Sequence, residues 1–169
     1  MSVQTLCLEP DPILRAVARP VDMAADDVRQ LSRDLIETMY ANHGIGLAAP
    51  QIGSDLAVFV ANPTRRRGQE LVVVNPVVVA FHGRASAIEG CLSLPNAWHK
   101  VRRASHVHMS GQDPSGRPLS VAADGLLAVV LLHEFDHLQG RLFIDHLSWF
   151  TRRRVQRAAA AACPATNWR

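Results

Sequence analysis

The sequence has 169 residues, 48% hydrophobic and 20% charged, with a net charge of +3. These are ordinary values for a globular chain about one domain long. With 10 Gly and 3 Cys, they exclude a disordered, collagen-like or disulfide-scaffold protein.

The first residues, Met1 to Thr5, lack a basic region and a long apolar run, and no arginine precedes Arg15. Neither a secretory signal nor a transit peptide is expected. The longest apolar stretch, residues 126–132, falls far short of the ~20 residues a membrane helix needs. Cys7, Cys91 and Cys163 are an odd, widely spaced set rather than a disulfide framework. The expectation is a cytoplasmic protein in a reducing compartment, with no membrane partner.

A helix is predicted over residues 26–42, where Val28, Leu31, Leu35 and Met39 recur at spacings of three and four. The segment 44–51 follows, small and apolar, with two glycines and a proline. It suits neither a long helix nor a regular strand. Arg65, Arg66 and Arg67 form a basic cluster that reads as a solvated surface or a docking site. Short strands are predicted over 56–60, 71–74 and 77–81, with a looser alternation over 99–110. Asp113-Pro114-Ser115-Gly116 is a turn, and 119–122 is its return strand.

Asp124 reads as an N-cap. Residues 126–138 are apolar on nearly every face, the pattern of a buried helix, and Gly140 would end it. A last helix over about 148–163 carries a second basic cluster, Arg152, Arg153, Arg154 and Arg157. The sum is an α+β fold in one domain spanning 1–169. Short, mostly antiparallel strands would pack around a buried central helix, with one helix before them and one at the C-terminus.

The central helix carries His133-Glu134-Phe135-Asp136-His137, an H-E-x-x-H motif. Residues four apart on a helix are turned about 400°, so they lie about 40° apart on one face. Both imidazoles can bind one metal ion, and the glutamate between them can take a proton from water there. Two histidines at this spacing can also simply pack. Ionisable groups on a buried helix are costly without partners, however, and one ion would partner them all.

A third ligand is usual at a catalytic site of this kind. In the longer pattern H-E-x-x-H-x-x-G-x-x-H the last position is Phe143, and no Glu follows Glu134. The downstream candidates are Asp145 and His146. Upstream stand Cys91 and several histidines. Cys91 follows Gly90, and a thiolate is a soft, strong ligand, although a lone cysteine is more often a small buried apolar residue.

Three segments taken together resemble the peptide deformylases. They are Gly44-Ile45-Gly46-Leu47-Ala48-Ala49-Pro50-Gln51, then Glu89-Gly90-Cys91-Leu92-Ser93, then Leu132-His133-Glu134-Phe135-Asp136-His137. Pro12-Ile13-Leu14-Arg15 and the lead-in to the central helix are similar too. The resemblance implies metal-dependent hydrolysis of the N-formyl group on the first methionine of nascent polypeptides, with release of formate. It implies Cys91, His133 and His137 as metal ligands and Glu134 as the acid/base. Gln51 and the Leu92 N–H would be donors to the developing oxyanion.

Backbone groups near Ile45, Gly46 and Gly90 would line the extended peptide, with Gly44 in support, and Ile45, Val129, Val130 and His133 would wall the methionine pocket. Glu89 would be held by an arginine, for which Arg103 is the candidate. The implied cofactor is one divalent ion: ferrous iron in the cell, with zinc, nickel or cobalt as substitutes. The implied partners are formylated nascent chains, and the ribosome through the basic C-terminal helix. Two residues depart from the family pattern. Leu132 stands where a glutamine often opens the third motif, and Trp98 where many members carry a polar or basic residue. The competing readings are an H-E-x-x-H peptidase acting on other peptide bonds and a ribosome-associated binding protein with a structural metal.

Overall fold

The computed structural model describes residues 2–24 and 26–162. The first helix, α1 (Val28–Ala41), begins at Asp27, whose carboxylate accepts the Gln30 N–H at 3.0 Å. Asp26, inside the predicted span, instead pairs with Arg19 at 3.0 Å. The inner face of α1 buries Val28, Leu35 and Met39 against Leu47, Val58, Val60 and Val72. Burial of side chains this size contributes about 1.5–3 kcal/mol each.

Segment 44–51 holds more order than its composition suggests. Gly46–Ala48 forms a short strand, β1, and Ala49–Ile52 a single 3-10 turn. β1 pairs with β2 (Val58–Ala61), and β2 with the long β3 (Leu71–His82). β3 joins the two runs predicted over 71–74 and 77–81. A register shift falls between them, at Asn75-Pro76. Proline has no N–H to give a ladder, so the strand passes it only by slipping register. The sheet continues through β6 (His106–Gln112) to β7 (Pro118–Asp124), giving the order β1-β2-β3-β6-β7. The predicted turn closes the β6–β7 hairpin, with the Gly116 N–H donating to the Asp113 carbonyl at 2.9 Å.

The alternation over 99–110 belongs to two strands, not one. β5 (Leu94–Arg103) ends before Ala104, and β6 starts in another sheet. No glycine or proline marks that break, so periodicity runs straight through it. β4 (Ala85–Cys91) leaves no strand signal in the sequence, because its residues are mostly small or polar rather than β-branched. β4 and β5 form a two-stranded ribbon of their own, joined by a turn at Leu92-Ser93. Leu94, Ala97 and Val101 of its inner face pack on Leu142, Phe143, Ile144, Val155 and Ala159.

Helix α2 (Gly125–Leu138) packs on the five-stranded sheet against β1, β2, β6 and β7 and is buried along most of its length. Asp124 stands at its N-cap position, but its side chain makes no capping hydrogen bond, contrary to the expectation. Gly140, at φ +67°, ends the run, and a Cβ there would come within 2.5 Å of the Arg15 carbonyl oxygen. Helix α3 (Trp149–Ala162) packs Val155 and Ala159 under β5. Cys163, the end of its predicted span, lies outside the described residues. The architecture is α+β with antiparallel strands around a buried helix, as expected. Among the described residues no helix is long and apolar enough to cross a membrane.

Candidate metal centre and cleft

Two consecutive turns of α2 bring His133 and His137 onto one face, and the end of β4 brings Cys91 against them. One donor atom from each lies within 4.8 Å of the others. Cys91 Sγ is 3.3 Å from His137 Nε2. His133 Nδ1 is 2.8 Å from Glu89 Oε2, which leaves its Nε2 to face the centre. A thiolate and two imidazoles form a donor set suited to a divalent transition metal, with at least one position open. His137 Nδ1 and Glu134 Oε2 are buried and meet no protein partner among the described residues. Buried polar atoms are normally satisfied, so this pocket fits residues that work around an ion and its water.

Neither downstream alternative joins the donor set. Asp145 binds Arg15 at 2.6 Å and Arg152 at 2.8 Å, and His146 Nε2 lies 2.7 Å from Asp136 Oδ2. Phe143, at the position where the longer motif has its last histidine, is buried and stacks on the His133 ring at 6.4 Å.

Glu89 is the centre of a buried charge network. Arg103 grips it with two nitrogens, at 2.7 and 2.8 Å, and both side chains are only 4% exposed. The other guanidinium nitrogen bonds Asp136, which in turn holds His146. Burial alone would raise the Glu89 carboxyl, but Arg103 and His133 outweigh it and hold it at about 2. The Arg103–Glu89 contact is the one foreseen from sequence. The Asp136 and His146 extension is not; an aspartate on a buried helix one residue before the second histidine of the motif was the available signal.

Glu134 has the opposite environment. Burial, with the negative charge of Glu89 added, raises its carboxyl to about 7 against the pull of His133. It lies beside Gly46: a Cβ at that position would come within 2.3 Å of Glu134 Oε1. Burial, with the charge of His133 added, pushes His137 well below the usual imidazole range.

Gln51 sits in the 3-10 turn after β1. Its Oε1 accepts the Ala48 N–H at 2.9 Å, and its Nε2 donates to Ser93 Oγ at 3.1 Å and to Cys91 Sγ at 3.4 Å. The carbonyl end is therefore anchored and the NH₂ end turned to the centre.

A cleft of about 580 Å³ opens from the centre, lined by Gly44, Ile45, Gly46, Gln51, Glu89, Gly90, Cys91, Leu92, Val129, Val130, His133 and Glu134. Every sequence-predicted site residue lines it except His137, which is buried behind it, and Arg103, which braces Glu89. Arg65 also reaches the cleft, and its guanidinium donates to the His43 carbonyl at 3.1 Å. Its neighbour Arg67 is occupied elsewhere, pairing with Glu37 at 2.8 Å and lying over the Tyr40 ring at 4.5 Å. All three arginines of the 65–67 cluster remain exposed.

Known proteins share this fold. The family model described as Polypeptide deformylase matches residues 3–153. The peptide deformylase of Alkalilimnicola ehrlichii is 43% identical over 158 residues, covering 93% of this chain and 89% of its own. That of Acinetobacter baumannii is 43% identical over 148 residues, covering 87% and 84%. Among solved structures, a peptide deformylase from Legionella pneumophila superposes with a TM-score of 0.91 at 38% identity, over 95% of both chains. The peptide deformylase from Thermus thermophilus gives 0.85 at 39% identity, again over 95% of both.

Proposed function

The chain belongs to the polypeptide deformylase family, metal-dependent hydrolases of the N-formyl group on nascent peptides, and we propose that it does this chemistry with Cys91, His133 and His137 as metal ligands and Glu134 as the acid/base. The observation that carries the assignment is the convergence of those three donors beside a buried, unpartnered glutamate oxygen. When bound, the ion would act as a Lewis acid, bringing the pKa of a water toward about 7 and polarising the formyl oxygen. We take the cellular ion to be ferrous iron, with zinc, nickel and cobalt as substitutes. The thiolate–diimidazole set is compatible with all four.

The remaining roles fall to the chain's own groups. Glu134 would accept the proton of the attacking water and deliver it to the leaving amine. The Gln51 NH₂ and the Leu92 N–H would donate to the oxygen that gains charge. Ile45, Val129, Val130 and His133 would wall the methionine side chain. The peptide would lie between two unpaired strand edges. β1 is the outer strand of its sheet, and β4 pairs only with β5. A segment entering between Gly44–Gly46 and Gly90 can bond to both edges as an added strand.

An H-E-x-x-H peptidase acting elsewhere is disfavoured by Phe143, which fills the position of that class's third ligand. A purely structural metal is disfavoured by three donors rather than four. The test is formate release from formyl-Met-Ala-Ser by protein loaded anaerobically with ferrous iron, beside Glu134→Ala. Release should fall by about 10²–10⁴-fold in the variant while iron content is kept. No release with any of the four metals bound would overturn the assignment.

We also infer, from the substrate, a cytoplasmic enzyme that meets nascent chains at the ribosome, with α3 as its docking element. Among the described residues Arg153, Arg154 and Arg157 form no ion pair, and Arg153 lies over the exposed Trp149 ring at 5.0 Å. Truncating α3 would expose Val155 and Ala159, so charge reversal is the cleaner probe. Converting the three arginines to glutamate should abolish salt-sensitive co-sedimentation with ribosomes; unchanged binding would rule the docking out.

A further inference from the structure

The β4–β5 ribbon has two unlike faces. Its inner face carries Glu89, Ala97, Val101 and Arg103, all buried. Its outer face carries Ile88, Gly90, Trp98 and Lys100. Ile88 is 75% exposed and Trp98 69% exposed, yet both line the cleft that leads to the metal centre. Two large apolar side chains left in water at the mouth of a site are costly unless something covers them.

The register explains how Trp98 comes to sit there. Trp98 is the direct cross-strand partner of Gly90. Its ring lies flat on the glycine: a Cβ at Gly90 would come within 2.5 Å of Trp98 Cε3 and 2.7 Å of Cδ2. The glycine therefore does more than admit a peptide backbone. It gives the indole a seat one strand closer to the free edge of β4, where no side chain intervenes.

A peptide added to that edge alternates its side chains between the two faces. The methionine side chain must go to the inner side, where Glu89 reaches His133, a wall of its pocket. The second residue then points to the outer side, where the indole and Ile88 wait.

We propose that Trp98, backed by Ile88, is a specificity-determining residue that selects formylated chains with an aromatic or large apolar second residue. This rests on the deformylase reading and adds to it a preference that the metal centre cannot supply. The occupant is the substrate itself, because the patch is continuous with the catalytic cleft. The contact is made by ground state and transition state alike, so it should act on KM rather than kcat.

The experiment compares formyl-Met-Phe-Ser with formyl-Met-Gly-Ser on the ferrous enzyme, in the wild type, Trp98→Phe and Trp98→Ala. The wild type should favour the Phe peptide in kcat/KM by about threefold to tenfold, the range of one aromatic contact, through KM. Trp98→Phe should keep most of the preference and Trp98→Ala should lose it. The deformylated products Met-Phe-Ser and Met-Gly-Ser, as competitive inhibitors, should show the same ratio without any chemistry. A ratio near one in the wild type, or one that Trp98→Ala leaves intact, overturns the inference while formate release sustains the deformylase reading. No release from either peptide overturns both.

Discussion

Helices α2 and α3 are each 14 residues long, and each carries a cluster of ionisable side chains. On α2 the cluster is His133, Glu134, Asp136 and His137, and three of the four are buried. On α3 it is Arg152, Arg153, Arg154 and Arg157, which stay at the surface while Val155 and Ala159 turn inward. The chemistry of a charged side chain follows from its surroundings. In water an arginine needs no partner. Inside, each group must find one, and on α2 those partners are a second charge or, in the proposed function, an ion and its water. The buried cluster can do chemistry because it cannot be satisfied by solvent.

That contrast predicts a steep gradient of mutational cost. At the top is Arg103→Leu, which leaves Glu89 and Asp136 buried without their cation. It should lower unfolding free energy by about 3–5 kcal/mol in urea titration. It should also weaken metal retention, since Glu89 orients His133. A loss comparable to that of a surface arginine would mean that the network is not what holds Glu89. Gly46→Ala comes next. Its methyl would strike the Glu134 carboxylate and Val130 Cγ1, at 2.3 and 2.9 Å. Displacing the proposed acid/base by about 1 Å can cost about 10²-fold in rate, so kcat should fall on that scale with bound metal unchanged. Arg152→Ala is the smallest. Its bond to Asp145 at 2.8 Å is partly solvent-exposed, and such pairs contribute about 0–1 kcal/mol. A thermal scan should barely register it.

The same contrast explains which parts of the molecule can be read from its residues. The long helices are legible for different reasons: α1 prints its own periodicity, and α2 is too long and too apolar on nearly every face to be anything but a buried helix. The candidate metal donors are legible because two lie on one helix and the third lies in a motif of the resembled family. β4 is not, although it carries Cys91 and Glu89. A strand of small and polar residues is held by its neighbour β5 and leaves little pattern of its own. The boundary at Ala104 is invisible for a similar reason: two strands of different sheets abut without a turn residue. His146, a candidate ligand by its sequence position, proves instead to be the outer end of the Glu89–Arg103–Asp136 network. That position is compatible with both, and only the path of the chain after α2 separates them.

The residues alone suffice for the fold class, the buried helix, the two imidazoles on one of its faces and the family to which the motifs belong. These depend on spacings within a segment, or on motifs whose order is preserved along the chain. Folding in three dimensions sets which buried carboxyl is lowered and which is raised, what anchors Gln51, and that Trp98 lies across Gly90 at the mouth of the cleft. Those facts depend on distances between residues far apart in the chain. Burial and Coulombic interaction, which set them, act through space rather than along the backbone.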